Sequence, residues 1–263
     1  LCTGGTLCVL STGACTPAAS GCGSCGSGQQ CVNGAGGPSC EGVLTTPRIE
    51  AYPQAAGLYT SLAKLPGGGL AIAYYDRVEG TLNVAARESD GWVTRVVDGG
   101  LQGGVVGDTG IGTSLFVDND GVWHLSYVDG YNEALKYARV IDGAVDIVEL
   151  VDEGFGVDGV PHPDGQHVVG DDSFVYVTPS GTIQITYQDA SNGTIRVATG
   201  APNASGGNDW SVRVIDTGEA FGGFFTRQIQ VGGSLQVLHW WRKIETGADG
   251  VKKGVGDVSL LAP

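Results

Sequence analysis

Three stretches of the chain are copies of one another, and this repetition limits the fold more than any other feature. YTSLAKLPGGGLAIAYYDRVEGTLNVAAR (59–87), GTSLFVDNDGVWHLSYVDGYNEALKYAR (112–139) and DSFVYVTPSGTIQITYQDASNGTIRVATG (172–200) align with one another. Asp76, Asp129 and Asp189 occupy one repeat position, and Leu82, Leu135 and Ile195 follow them at equal spacing. Within each copy, apolar residues alternate with period two and Val, Ile, Tyr and Trp are abundant, which is the pattern of β-strands; no stretch shows a convincing helical period. Each copy is followed by another strand-like run, WVTRVVD (92–98), DIVELVD (146–152) or WSVRVID (210–216). Each unit therefore predicts three strands plus a fourth, joined by turns such as Gly67-Gly68 and Asn192-Gly193.

A fourth copy is degenerate. FTRQIQVGGSLQVLHWWRK (225–243) and GVGDVSLLA (254–262) supply three strands and no fourth. The missing strand has a counterpart near the other end of the chain, where PRIEAYPQAAGLYTS (47–61) aligns with VRVIDTGEAFGGFFT (212–226), setting Arg48 on Arg213 and Gly57 on Gly222. A strand at 46–51 that completes the last sheet closes a ring and leaves no naked sheet edge. The expected fold is all-β: a β-propeller over 43–263 with four blades of four antiparallel strands, at 58–98, 111–152, 170–216 and 225–263 plus 45–51.

The pattern S-L-x-x-D-x-D-G-x-x-H-x-S-Y-x-D…L-K-Y-A at 114–138 resembles the repeats of secreted bacterial β-propellers, loosely related to the sialidase-like group with BNR-type repeats. The resemblance covers about 45–263 through weaker copies and implies the fold more firmly than an activity. A sialidase-like relation implies an arginine cluster gripping a carboxylate and a Tyr/Glu nucleophile pair. Arg95 and Arg213 stand at equivalent outer-strand positions, which is repetition rather than convergence, and the S-x-D-x-G-x-x-W box is not intact. The expected role is a non-catalytic binding or structural module at the cell surface, engaging a protein or a glycan, with no catalytic residue assigned. The alternative is a carbohydrate-active propeller, a lectin or a glycoside-cleaving enzyme.

All seven cysteines lie at or before Cys40, in a segment of Gly, Ser, Thr and Ala with too little apolar surface to fold around a core. Residues 1–42 are read as a disulfide-stapled module and the location as oxidising: extracellular, secreted or on the outer cell surface. Cys2, Cys8 and Cys15 are separated by six and seven positions, Cys25, Cys31 and Cys40 by six and nine, and the second set adds Cys22. The segment resembles the short EGF-like cysteine repeats of secreted surface proteins. If each repeat links first to third and second to fourth, the pairs are Cys22–Cys31, Cys25–Cys40 and Cys2–Cys15, and Cys8 pairs upstream of Leu1, so that the chain is part of a longer polypeptide or assembly. Cys22-Gly-Ser-Cys25 could also hold zinc, but disulfides are favoured.

The net charge of −14 argues against nucleic acid as a partner, and no run of apolar residues is long enough to span a membrane. Asp118-Asn-Asp-Gly121 suggests a calcium loop beside His124. Its counterparts in the other copies share only the glycine-bearing turn, and Phe116 stands where another acid is needed, so a β-turn is expected. Asp76, Asp129 and Asp189 should end the second strands and either cap their turns or, with Trp240 and Trp241, meet a ligand. Each shares parity with apolar residues: Leu70, Ile72 and Tyr74, or Trp123, Leu125 and Tyr127. His239 and Trp241 replace the repeated Tyr and Asp in the last unit, and the loops at 153–172 and 242–253 depart most from the repeat, so any ligand is expected there. No cofactor is identified. His162, Asp164 and His167 could hold a divalent cation, against the simpler reading of a solvated Pro/Gly loop.

Overall fold

A computed structural model describes residues 6–8, 15–17, 21–22, 24–25, 29–34, 37–42, 55–88, 91–102, 105–156, 160, 162–216, 221–231, 234–248 and 250–261. The chain divides into two compact units, Leu1–Pro53 and Gln54–Pro263.

In the first unit β1 (Thr6–Cys8) pairs with β2 (Cys15–Pro17), and β3 (Gln29–Gly34) pairs with β4 (Gly37–Gly42). Disulfides join Cys22 to Cys31 and Cys25 to Cys40, the first-to-third and second-to-fourth pattern expected for that set. Cys8 lies opposite Cys15 in the β1–β2 register, as Cys31 lies opposite Cys40 in β3–β4, so the two cysteine sets repeat in backbone pairing. The expected Cys2–Cys15 bond and the partner of Cys8 lie outside the described residues.

The second unit is all-β. Blade 1 comprises β5 (Ala56–Lys64), β6 (Leu70–Asp76), β7 (Thr81–Glu88) and β8 (Gly91–Gly99), and a short hairpin of β9 (Leu101–Gln102) and β10 (Val105–Val106) follows it. Blade 2 comprises β11 (Thr109–Val117), β12 (Trp123–Asp129), β13 (Ala134–Ile141) and β14 (Ala144–Asp152). Blade 3 comprises β15 (Val169–Val177), β16 (Ile183–Asp189), β17 (Thr194–Pro202) and β18 (Asn208–Asp216). The last blade comprises β19 (Phe221–Val231), β20 (Ser234–Thr246) and β21 (Lys252–Leu261). Each sheet is an antiparallel meander in chain order, four strands in the first three and three in the last. These are the sequential blades of a β-propeller. No helix of the described residues is long and apolar enough to cross a membrane. The strand expected at 46–51 lies outside the described residues, so its pairing with β21 stays an expectation.

Blades stack face to face. Leu82, Val84, Ala71 and Ala73 of blade 1 form one core with Trp123, Leu125 and Tyr127 of blade 2, and Leu135 and Tyr137 of blade 2 form the next with Ile183, Ile185 and Tyr187 of blade 3. Each blade thus offers the tyrosine side of its second strand to the blade before it. In blade 1 that side carries Leu70 and is open: Leu62 is 63% exposed and Val96 58%. The buried residues of β6 are therefore Ala71, Ala73 and Tyr75, opposite to the parity expected from Leu70, Ile72 and Tyr74, because the described neighbour of blade 1 packs on its other side.

Every first strand carries the same bulge. Its register breaks at two places, and the backbone turns left-handed at Tyr59 (φ 51°), Gly112 (φ 60°), Asp172 (φ 51°) and Phe225 (φ 53°). Two residues earlier stand Gly57, Gly110, Gly170 and Gly223, all with positive φ. The bulge therefore matches Gly57 with Gly223, one residue beyond the Gly57–Gly222 correspondence expected from the alignment. A Cβ on Gly110 would lie 2.9 Å from Leu82 Cα and one on Gly170 3.2 Å from Leu135 Cα, so these glycines let the first strand close on the preceding blade. A Cβ on Gly57 would meet nothing within 4 Å among the described residues.

This difference is measurable. Both Gly57→Ala and Gly110→Ala carry the left-handed penalty of about 1–2 kcal/mol, but Gly110→Ala adds an overpacking cost of about 1–3 kcal/mol against Leu82. Denaturant unfolding should rank Gly110→Ala clearly below Gly57→Ala; equal losses would mean that Gly57 is packed against a neighbour as Gly110 is.

Candidate functional site

Asp76, Asp129 and Asp189 end β6, β12 and β16 as expected, and each caps the turn that follows. Asp76 Oδ1 accepts the Val78 and Glu79 amides, Asp129 Oδ1 those of Tyr131 and Asn132, and Asp189 Oδ1 that of Asn192. Asp129 and Asp189 are buried. Their lone pairs serve the fold, so these three aspartates do not form an open ligand set. Asp118 likewise caps its own turn, Oδ1 accepting the Asp120 and Val122 amides, while Oδ2 lies 3.3 Å from His124 Nε2. Asp118-Asn-Asp-Gly121 is a β-turn, and His124 is a buried strand residue whose Nδ1 lies 2.7 Å from the Tyr137 hydroxyl.

A second acidic series escaped the sequence reading. Asp98, Asp152 and Asp216 stand at or next to the ends of the fourth strands, and each faces the next blade. Tyr127 donates to Asp98 at 2.7 Å, and Lys136 Nζ lies 2.5 Å from the same carboxylate. One blade on, Tyr187 donates to Asp152 at 2.6 Å, while Arg196 bridges Asp152 (2.9 Å) and Asp189 (2.5 Å). Burial raises both tyrosine pKa values well above the ordinary phenol value, and the adjoining aspartates add to it, so both hydroxyls remain donors. In the last blade His239 stands in the tyrosine position, and its Nε2 is 3.9 Å from Asp216 Oδ2, beyond hydrogen-bonding distance. The signal in the sequence was the aspartate closing each of WVTRVVD, DIVELVD and WSVRVID.

His162, Asp164 and His167 do come together, but their donor atoms do not converge. The two imidazoles stack with centroids 3.8 Å apart and planes 12° from parallel. Both nitrogens of His167 are engaged by carboxylates, Nδ1 at 2.8 Å from Asp189 and Nε2 at 3.1 Å from Asp164. Three metal-ligating atoms within reach of one ion occur, among the described residues, only at Cys22, Cys25 and Cys40, whose sulfurs are taken by disulfides. The divalent-cation reading of the His162 loop therefore has no preformed ligand set behind it. The loop is latched to blade 3 through His167 instead.

Two clefts remain. One, of about 580 Å³, lies between blade 2 and the loop that follows it and is lined by Asp129, Tyr131, Glu133, Glu153, Phe155 and Gln166. Gln166 spends its amide on the Asn132 and Glu153 carbonyls. The larger, of about 1010 Å³, belongs to the β20–β21 hairpin. β20 has 13 residues where β6, β12 and β16 have 7, so the hairpin runs past the end of the blade. Phe221, Trp240, Arg242, Ile244 and Lys252 line this cleft, with Gly254 and Gly256 opposite on β21. A Cβ on Gly256 would lie 2.8 Å from Trp240 Cζ2 and one on Gly254 would meet nothing, so the glycines make room for the indole and leave a bare trough beyond it. Of the expected ligand tryptophans, Trp240 lines the cleft. Trp241 points to the other side of the strand and donates its indole N–H to Ser259 Oγ at 2.8 Å.

The sequence matches no protein-family model, and no curated protein matches it. Among solved structures, the chain is similar to a bifunctional GH43-CE protein of Bacteroides eggerthii (12% identity, TM-score 0.43, covering 85% of this chain and 29% of that one). It is also similar to a xylan β-1,4-xylosidase of Bacillus halodurans (13% identity, TM-score 0.43, covering 77% and 42%). A third is a GH43 β-xylosidase/α-arabinofuranosidase from a compost microbial metagenome, in complex with xylotriose (14% identity, TM-score 0.42, covering 86% and 83%). The chain thus spans less than half the length of the first two. All three are carbohydrate-active by name; a likeness of this degree carries no argument about activity.

The His167 latch makes stability depend on pH. Burial pulls the imidazole pKa down, but hydrogen bonds to Asp189 and Asp164 and their charges outweigh it and hold it above the ordinary value of 6.5. A histidine whose folded pKa is raised stabilises fully below its unfolded pKa and loses that contribution as pH rises through the folded one. Urea unfolding should therefore show a His167-dependent loss of stability on going from about pH 6 to pH 9. His167→Gln should flatten that part of the profile. A slope identical in the two proteins would refute the latch.

Proposed function

We propose that the protein is a carbohydrate-binding propeller without catalytic activity, presented outside the cytoplasm, and that the β20–β21 hairpin is its binding site. The observation that carries this reading is the trough itself. Trp240, set edge-on to Phe224 at 5.2 Å, stands beside a strand stripped of side chains at Gly254 and Gly256. An indole beside an open, flat-floored groove suits the apolar face of a sugar ring, while groups along the rim suit its hydroxyls. Cys22–Cys31 and Cys25–Cys40 are compatible with an oxidising location.

Binding rather than cleavage is favoured by the chemistry of the lining. Glycoside hydrolysis generally needs two carboxyl groups flanking the bond. Glu245 is the one carboxylate among the described residues of this cleft, and Lys243 holds it at 2.6 Å. The smaller cleft offers Glu133 and Glu153, and there Asp129 is committed to its turn.

The test is retention on immobilised plant and microbial polysaccharides. Trp240→Ala should weaken retention on the order of tenfold or more, a loss of about 1.4 kcal/mol or greater, with thermal unfolding run alongside to confirm a folded protein. Glu133→Gln/Glu153→Gln should leave retention unchanged. Release of reducing sugar that is lost in the double glutamate variant would replace binding with hydrolysis, and retention indifferent to Trp240 would move the site elsewhere.

A further inference from the structure

We infer that the hairpin trough selects an acidic glycan, a sugar chain bearing carboxylate groups, over a neutral one; the inference rests on the carbohydrate reading above. The chain is strongly acidic, with 28 Asp and Glu against 14 Lys and Arg, yet residues 242–253 alone contain Arg242, Lys243, Lys252 and Lys253. Lys243 is neutralised by Glu245. The other three have no carboxylate partner among the described residues. Cations left unpaired in a chain with a twofold excess of acids point to a partner that supplies the anion.

Their placement fits an extended ligand. Ladder pairing sets Arg242 opposite Gly256, Ile244 opposite Gly254 and Thr246 opposite Lys252. Alternate residues of a strand share a face, so Trp240, Arg242, Ile244 and Lys252 line one side of the hairpin. At about 3.3 Å per residue, Arg242 and the level of Lys252 are about 13 Å apart along the strand. Gly254, the β21 position between them on that face, carries no side chain, and the exposed Ile244 on β20 is the apolar group that stands between the two cations. Two cations so spaced read separate charges, some sugar rings apart on one chain, rather than one carboxylate twice. The Arg242 guanidinium carbon lies 5.6 Å from the Phe224 ring and 5.9 Å from that of Phe221. Aromatic contact fixes its plane without consuming its N–H donors, which leaves the planar fork free for a bidentate carboxylate.

A long polyphosphate is disfavoured. The net charge of −14 repels a densely charged backbone at range, and three cations release too few counterions to offset it. A sugar acid combines sparse charge with an apolar ring face for Trp240.

The experiment is titration of the full chain with polygalacturonate and with the same polymer after carboxyl reduction, at low and at moderate salt. Duplex DNA and phosphatidylserine vesicles serve as alternative polyanions. The expected result is at least tenfold tighter binding to the charged polymer, weakening with salt. Arg242→Gln and Lys252→Gln/Lys253→Gln should each lose on the order of tenfold on it, with unfolding midpoints unchanged. Equal affinity for the two polymers overturns the charge selection and leaves the carbohydrate reading standing. Binding to neither polymer overturns both. Arg242-dependent binding to DNA or vesicles, with none to polygalacturonate, assigns the cations to a phosphate ligand and overturns the inference.

Discussion

The first two blade junctions each depend on an acid drawn partly or wholly out of water. Asp98 and Asp152 stand at or next to the ends of the fourth strands of blades 1 and 2, and each is taken up by a tyrosine and a cation of the following blade. A carboxylate half-removed from water is costly unless its lone pairs are filled. Tyr127 with Lys136, and Tyr187 with Arg196, fill them from across the junction. A blade out of place leaves an uncompensated acid behind, so the junction specifies position rather than merely adding affinity. Arg196 extends the network to Asp189 and through it to His167, which ties the loop after blade 2 to blade 3. At the last junction His239 falls short of Asp216, and hydrogen bonds from the first strand take over: Gln228 Nε2 donates to the Phe174 carbonyl at 3.1 Å, and Thr226 to the Asp172 carbonyl.

Much of this fold was legible because repetition and period-two alternation are properties of the chain in one dimension. The four units, their strands, the second-strand aspartates and the turn at Asp118 all follow from spacing. Two things did not. Alternation tells which residues share a face but not which face meets a neighbour, so Leu70 reads as core until blade 1 is seen packed on its Ala71 and Ala73 side. The one-residue displacement of Gly57 against Gly222 has a similar origin. A bulge inserts a residue into one strand and not its partner, so sequence alignment alone cannot settle the count.

The junction chemistry was legible in part and unread. Asp98, Asp152 and Asp216 repeat as visibly as Asp76, Asp129 and Asp189, but their partners lie in the following blade, and a pattern within one unit does not announce a bond to the next. The His162 loop shows the opposite error. Two imidazoles and a carboxylate in one short segment have the composition of a metal site, but ligation needs lone pairs that converge. Stacking of His162 on His167, with Asp164 and Asp189 claiming both His167 nitrogens, turns the same residues into a latch.

The last blade shows how a repeat departs from its own pattern. The repeated tyrosine and aspartate are exchanged for His239 and Trp241, and Trp241 turns inward to Ser259, so the turn-capping acid is lost. Without that cap the strand continues past the blade to Thr246 and returns from Lys252. The overshoot lies beyond the strand length that blades use against one another, so its side chains are free of the packing rules that hold Ala71, Ser126 or Thr186 small or polar. Large apolar and cationic residues, Ile244, Arg242 and Lys252, accumulate there, while Gly254 and Gly256 keep the facing strand bare. Release from inter-blade packing, more than any residue shared by the four units, is what leaves this hairpin open for the ligand proposed for it.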